Sequence, residues 1–467
     1  MKRLVPSRAA PGLALLALAA AAPLAAQSVR VHSTTTARYV ELRPILWNAD
    51  SARYDPQSVQ SATPLTQDFE VNAWGFGVDG LRAYGLVRFR GSLGSDLVWP
   101  RYGDHFDALA LYLEYAHADY ALRLGRQQKV SALGWYGFDG LSGSWHPLAQ
   151  IRVEGYAGRG LARGYLEPYD SKALAALDPL RPDHGTWLLG AQVSARPTSA
   201  TSFSAIYQRE ILADRSGVVS ERAALDGSTT LRGFLTLAAS SEFDIATNQW
   251  GKARASATVE FTRGASVRAE LFRYRPTLDL TTIWGVFGPQ SHTGYTFTLQ
   301  AAPLRTLSAY GSYTERQYQA DTTVNPFATN LPERSQEAAA GLTARLGTLR
   351  FDGRYSLLLE YGGSQSGGDL GVTLAPPAGW RVGVRGTAFQ SDGEFRVADG
   401  TVWGAGFEAS FPVLDRFTVR ADAMRYVYVK QKRQPATLGG LDWNQTRATL
   451  TVDWTFGTNP DRQGASR

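Results

Sequence analysis

The chain has 467 residues with 20 Phe, 12 Trp, 21 Tyr and 47 Gly, and no cysteine. The missing thiols exclude disulfide scaffolds, thiolate metal sites and thiol nucleophiles. The formal net charge of +6 hides a skewed cation set: six lysines against 42 arginines.

From the N-terminus, Lys2, Arg3 and Arg8 precede an apolar run over Gly12–Ala22 and the small-residue stretch "PLAAQ". This reads as a secretory signal peptide, residues 1–26, cut after Ala26. Beyond it no apolar run approaches the ~18 residues that a membrane helix requires, so a helical membrane protein is excluded.

From about residue 31 onwards the sequence alternates. "LRAYGLVRFRG" sets Leu81, Ala83, Val87 and Phe89 against Arg82, Arg88 and Arg90. "YALRLG" sets Tyr120, Leu122 and Leu124 against Ala121, Arg123 and Gly125. "TLRFDGRYSLLLEYGG" and "RATLTVDWTFG" repeat the pattern up to Phe456. A period of two marks strands whose faces meet different environments. Several runs reach ten residues or more, longer than the usual five or six of a soluble strand and matched to the nine to eleven of a transmembrane strand. The apolar rows tend to start or stop at Trp, Tyr or Phe, as at a lipid headgroup layer.

The connections alternate as well. Short ones ("HAD" at 117–119, "LGT" at 346–348, "APPAG" at 375–379) separate longer polar ones: Asn48–Thr66, Gly94–Phe106, Arg159–Gly185, Arg275–Ser291, Gln319–Arg334 and Lys430–Asp442. A short helix is expected within Ser171–Pro179. In lipid every backbone polar group must be paired, so sheets span only as closed barrels. The predicted fold is therefore all-β: a single-chain transmembrane antiparallel barrel of about 22 strands (an even number from 18 to 22). It occupies residues 27–457, with tight turns and both mature termini in the periplasm and 458–467 as a short tail.

On this parity the lumenal row receives Arg82, Arg88, Arg123, Arg152, Arg254, Arg268, Arg345, Arg350, Arg354, Arg381, Arg385, Arg420 and Arg447. It also receives Glu114, Glu154, Glu260, Glu270, Asp352, Glu360, Glu408, Asp422 and Asp453. Thirteen cations against nine acids make either a stiff wall of ion pairs or a field that draws in anionic or hydroxylated solutes. The two readings are compatible.

"LRLGRQ", then "YGFDGLSGSW" and "VEGYAGRG", resembles the consecutive-strand pattern of porins of the alginate-export type. The matching residues are Arg123, Gly125, Arg126, Gln127, Asp139 and Gly140, over about 40 residues of the chain. The resemblance implies a single-chain barrel with a basic lumen that passes a polyanionic saccharide. The near balance of lumenal acids and arginines departs from that pattern. Arg126 falls on the lipid-side parity, so it sits at the rim or follows a bulge at Gly125 that turns it inward.

Enzymatic readings fare poorly. A phospholipase-type barrel needs Ser and His on the outer wall; Ser144 and His146 adjoin a tight turn assigned to the opposite end. An omptin-type protease needs an Asp-Asp pair, and no two aspartates are adjacent. No histidine cluster has metal-ligand spacing, and no cofactor is expected. The expected function is passive diffusion of small hydrophilic, anionic or saccharide-like solutes through an Arg-rich, water-filled lumen in the outer membrane. The alternative is a structural sheath around a periplasmic electron-conduit cytochrome. Outer-membrane lipid and a small solute are the expected partners, nucleic acid is not, and homo-oligomerisation stays open.

Overall fold

The computed structural model describes residues 28–42, 45–48, 53–56, 58–94, 105–161, 185–213, 216–262, 264–275, 291–319, 334–360, 363–392, 399–430 and 443–457. The predicted signal peptide, the C-terminal tail and the Ser171–Pro179 helix lie outside these residues.

Twenty-two antiparallel strands form one sheet, each paired with its sequence neighbours. The first, Ser28–Leu42, pairs both with Gln60–Trp74 and with the last, Trp443–Gly457. The sheet therefore closes on itself, and no edge is left to expose unpaired backbone. The strands are 10 to 16 residues long, as the alternating runs require. No helix among the described residues is long and apolar enough to cross a membrane.

Two faces follow from the register. Leu113 pairs with Leu124 and Leu124 with Leu141. All three are more than half exposed, so one apolar row runs continuously around the outside. A row of exposed leucines, valines and aromatics would be untenable in water and suits hydrocarbon. The fold is a transmembrane β-barrel.

The strand termini alternate between two ends. At the end that holds Ser28 and Gly457, connections are tight turns such as 117–119, 149–150, 199–200 and 347–348. The long connections at 95–105, 161–185, 276–290, 320–333 and 431–442 all leave from the other, loop end. Two details differ from expectation. The connection assigned to Asn48–Thr66 is shorter, because a strand begins at Gln60; a small hairpin, Ile45–Asn48 with Arg53–Pro56, sits before it. Turn chemistry alone does not mark these boundaries, since a polar alternating run reads as loop or strand. The loop end also carries short turns, at 132–133 and 245–248. The weakly patterned stretch after Val218 forms two ordinary strands, Val218–Leu231 and Leu235–Asp244.

A topology prediction follows. An epitope tag in 162–184 is expected to bind antibody on intact cells, and one in 375–379 only after permeabilisation; the reverse labelling overturns the orientation.

Candidate functional site in the barrel lumen

The inner row carries the charges. Arg82 and Arg123 both lie opposite Glu114, and Arg152 and Glu154 lie along the next strands. The same inner row runs through Arg254, Arg268, Arg350, Arg354, Arg381, Arg385, Arg420 and Arg447. Many of these guanidiniums are held. Arg88 makes a two-pronged bond with Asp68 at 2.7 and 2.8 Å. Arg123 Nε donates to Glu114 at 2.5 Å, and its guanidinium stands 5.2 Å from the Tyr112 ring. Arg152 reaches Glu154 at 2.7 Å, and Lys129 shares the same carboxylate. Glu270 serves both Arg254 and Arg268, Arg350 pairs with Asp352, and Arg420 with Asp453.

On the wall of strands Arg334–Leu346 to Asp399–Leu414 the balance changes. Among the described residues, no carboxylate comes within ion-pair distance of Arg345, Arg354, Arg381 or Arg385. Arg345, Arg354, Arg381 and Arg385 are all exposed, and Gly371, opposite Arg385, has nothing closer than 3.8 Å to where a Cβ would stand. A concavity of about 760 Å³ opens there, lined by Arg354, Arg385, Asp369, Thr373 and Glu408 among others. Arg447 donates to Gln445 and lies 5.4 Å from the Tyr426 ring.

The opposite wall is filled in. Phe138, Tyr156, Leu188 and Ile206 belong to the inner row, yet they are buried together with Leu133 and Tyr136 in one apolar cluster. Leu133 lies in the turn after Tyr120–Ser131, and the Tyr136 hydroxyl donates to its carbonyl at 3.0 Å. Beside the cluster, Arg222 bonds Glu242 at 2.7 Å with both almost fully buried, and Tyr156 donates to the buried Gln208 at 2.7 Å. Arg254 and Arg420, by contrast, remain 59% and 57% exposed. The filled wall runs over strands Gly134–Leu148 to Val218–Leu231 and the arginine wall over Arg334–Leu346 to Asp399–Leu414, the sixth to tenth and the sixteenth to twentieth of 22 barrel strands. The centres of the two walls are ten strands apart, close to half the circumference; Leu133, Tyr136, Phe138 and Leu188 lie at the loop end, whereas Arg345, Arg354, Arg381 and Arg385 lie in the tight-turn half of their strands.

The residues that carry the local resemblance fasten the hairpin below the filled wall. Arg126 Nε and Nη2 clamp the Asp139 carboxylate at 2.8 and 2.9 Å, while its Nη1 donates to the Ala108 carbonyl. The register with Gly134–Leu148 is unbroken across Gly125, so Arg126 stays on the outward row, the seventh of twelve residues of its strand and neither at the rim nor turned inward, and it leaves the set of pore-lining candidates. Gln127 points inward and donates to the Gly140 carbonyl at 2.9 Å. Gly125 has φ of 130°, and a Cβ there would lie 2.3 Å from the Leu111 carbonyl oxygen. Gly125→Ala is therefore expected to cost about 1–3 kcal/mol, the scale of a strained backbone position. Gly155→Ala, where a Cβ meets nothing within 4 Å, should leave heat-modifiable gel mobility unchanged. Equal stability of the two variants would refute the steric role.

Sequence reasoning missed Lys129, Arg222, Arg316, Asp68 and Asp369 on the inner row. The same parity count locates Lys129, six residues beyond Arg123; Arg222 sits in a run too weakly patterned to phase.

No protein-family profile and no curated protein matches this sequence. Solved structures are similar at low identity. A BenF-like porin from Pseudomonas fluorescens Pf-5 shares 9% identity over 93% of this chain and 100% of its own, with TM-score 0.45. OccAB2 of Acinetobacter baumannii shares 10% over 93% and 99%, with TM-score 0.43. The ferric citrate transporter FecA shares 12% over 91% of this chain and 78% of its own, with TM-score 0.47. The architecture described above stands on the chain's own strand register.

Proposed function

We propose that this barrel is an outer-membrane channel for passive diffusion of small hydrophilic solutes, with a preference for anions. The observation that carries the reading is a set of lumenal arginines, Arg345, Arg354, Arg381 and Arg385, that among the described residues have no carboxylate within ion-pair distance. Filling one side narrows a barrel whose 22 strands would otherwise enclose a wide space. Fixed cations along the lumen raise the local concentration of anions, because low-dielectric walls focus the field. Arg354 and Arg385, with Thr373 and Glu408 between small residues, offer forks and hydroxyls suited to a carboxylated or hydroxylated solute. A saccharide-like solute fits this chemistry. No reacting group or metal is needed for such passage.

The test is planar-bilayer conductance of the purified protein. Stepwise, ohmic channel openings are expected. Insertion without conductance would overturn the channel and leave a closed structural barrel.

A further inference from the structure

The outward row is apolar near the tight turns, yet at the loop end it carries arginine on six strands: Arg126, Arg159, Arg209, Arg273, Arg334 and Arg425. On the tight-turn half of the same row no charged side chain occurs among the described residues. Outward acids are also confined to the loop end, and those whose side chains are described have local donors. Asp139 is taken by Arg126. Glu41 accepts the Thr446 amide and the Tyr39 hydroxyl. Glu221 accepts from Tyr207, and Glu315 from Tyr295 and Tyr313. Among the described residues, Arg159, Arg273 and Arg334 have no carboxylate within ion-pair distance.

These positions are ordered. Arg273, Thr293, Gln317 and Arg334 are successive cross-strand partners. Three inter-strand steps place the two Cα atoms ~14 Å apart, with a hydroxyl and an amide on the residues between them. Arg126, Asp139, Arg159 and Trp187 form a second such row, and Trp187 is half exposed. Indole belongs at the headgroup level, which puts Arg159, directly opposite Trp187, near that depth.

We infer that this arginine collar docks phosphorylated lipid headgroups in the leaflet at the loop end. A guanidinium fork binds phosphate through two parallel hydrogen bonds. At the edge of hydrocarbon, a phosphate is the anion that every neighbouring lipid can supply. The collar would fix the barrel's depth and recruit an annulus of anionic lipid, whatever passes through the lumen.

The test is native mass spectrometry of the detergent-purified barrel titrated with phosphatidic acid or with phosphatidylcholine of the same acyl chains. Wild type is expected to hold phosphatidic acid at least tenfold more tightly. The R159Q/R273Q/R334Q variant should lose most of that preference, R159K/R273K/R334K should keep part of it, and the lumenal variant R381Q/R385Q should keep it all. Inorganic phosphate at 10 mM should not displace the lipid. Equal retention of both lipids by wild type would overturn the collar. So would full retention by the Gln variant, equal loss in the lumenal variant, or displacement by inorganic phosphate. Should the Gln variant fail to fold, the wild-type headgroup comparison and the Lys variant decide.

Discussion

Leu370→Arg should destabilise the barrel in bilayers by about 2–4 kcal/mol, the cost of arginine on a lipid face near the bilayer midplane. Leu370 lies on the outward row with Leu342 and Gly353 as successive partners, four residues from the tight-turn end of Gly363–Leu374. It is 71% exposed, so arginine there meets no steric obstacle and only the medium can penalise it. The paired control is Thr387→Arg, on the inner row opposite Asp369, where water and a carboxylate receive the charge. Urea titration of both variants folded into liposomes should show a lowered midpoint for Leu370→Arg alone. Equal loss in both would mean that each face is packed like a soluble core.

The second large effect is on selectivity. Under a salt gradient, wild type is expected to give an anion-selective reversal potential. The Arg354→Gln, Arg381→Gln, Arg385→Gln variant should bring the anion-to-cation permeability ratio close to one. These three arginines have no carboxylate within ion-pair distance among the described residues, so removing them changes the field in the lumen. The double variant Arg123→Gln, Glu114→Gln removes a pair already bonded at 2.5 Å and should leave selectivity unchanged. Screening sets the range: the preference should fade above ~0.15 M salt, where the Debye length is ~8 Å. A cation-selective wild type, or a triple variant that matches it, would reduce the arginines to wall-stiffening partners.

Much of the barrel was legible in the alternation. Leu81–Gly94, Tyr120–Ser131 and Leu349–Glu360 each show the period of two, because one face meets lipid and the other water along the whole strand. Where both faces are small or polar, as in "TTTARYVEL" or "SERAALDGS", the contrast is weak and the boundaries blur. Arg123 and Glu114 could be placed on one face from parity, but not joined, since register across a turn depends on turn geometry.

The sequence by itself determined a spanning, lipid-facing sheet with an arginine-rich inner row, because side-chain parity and backbone pairing are local or obligatory. Only the tertiary structure decided which charges neutralise each other, and that Leu133 and Phe138 fill one wall at the loop end. It likewise decided that Arg273 and Arg334 share one outward row. Those relations join residues distant along the chain through closure of the barrel, and closure is set by the shear of all 22 strands together.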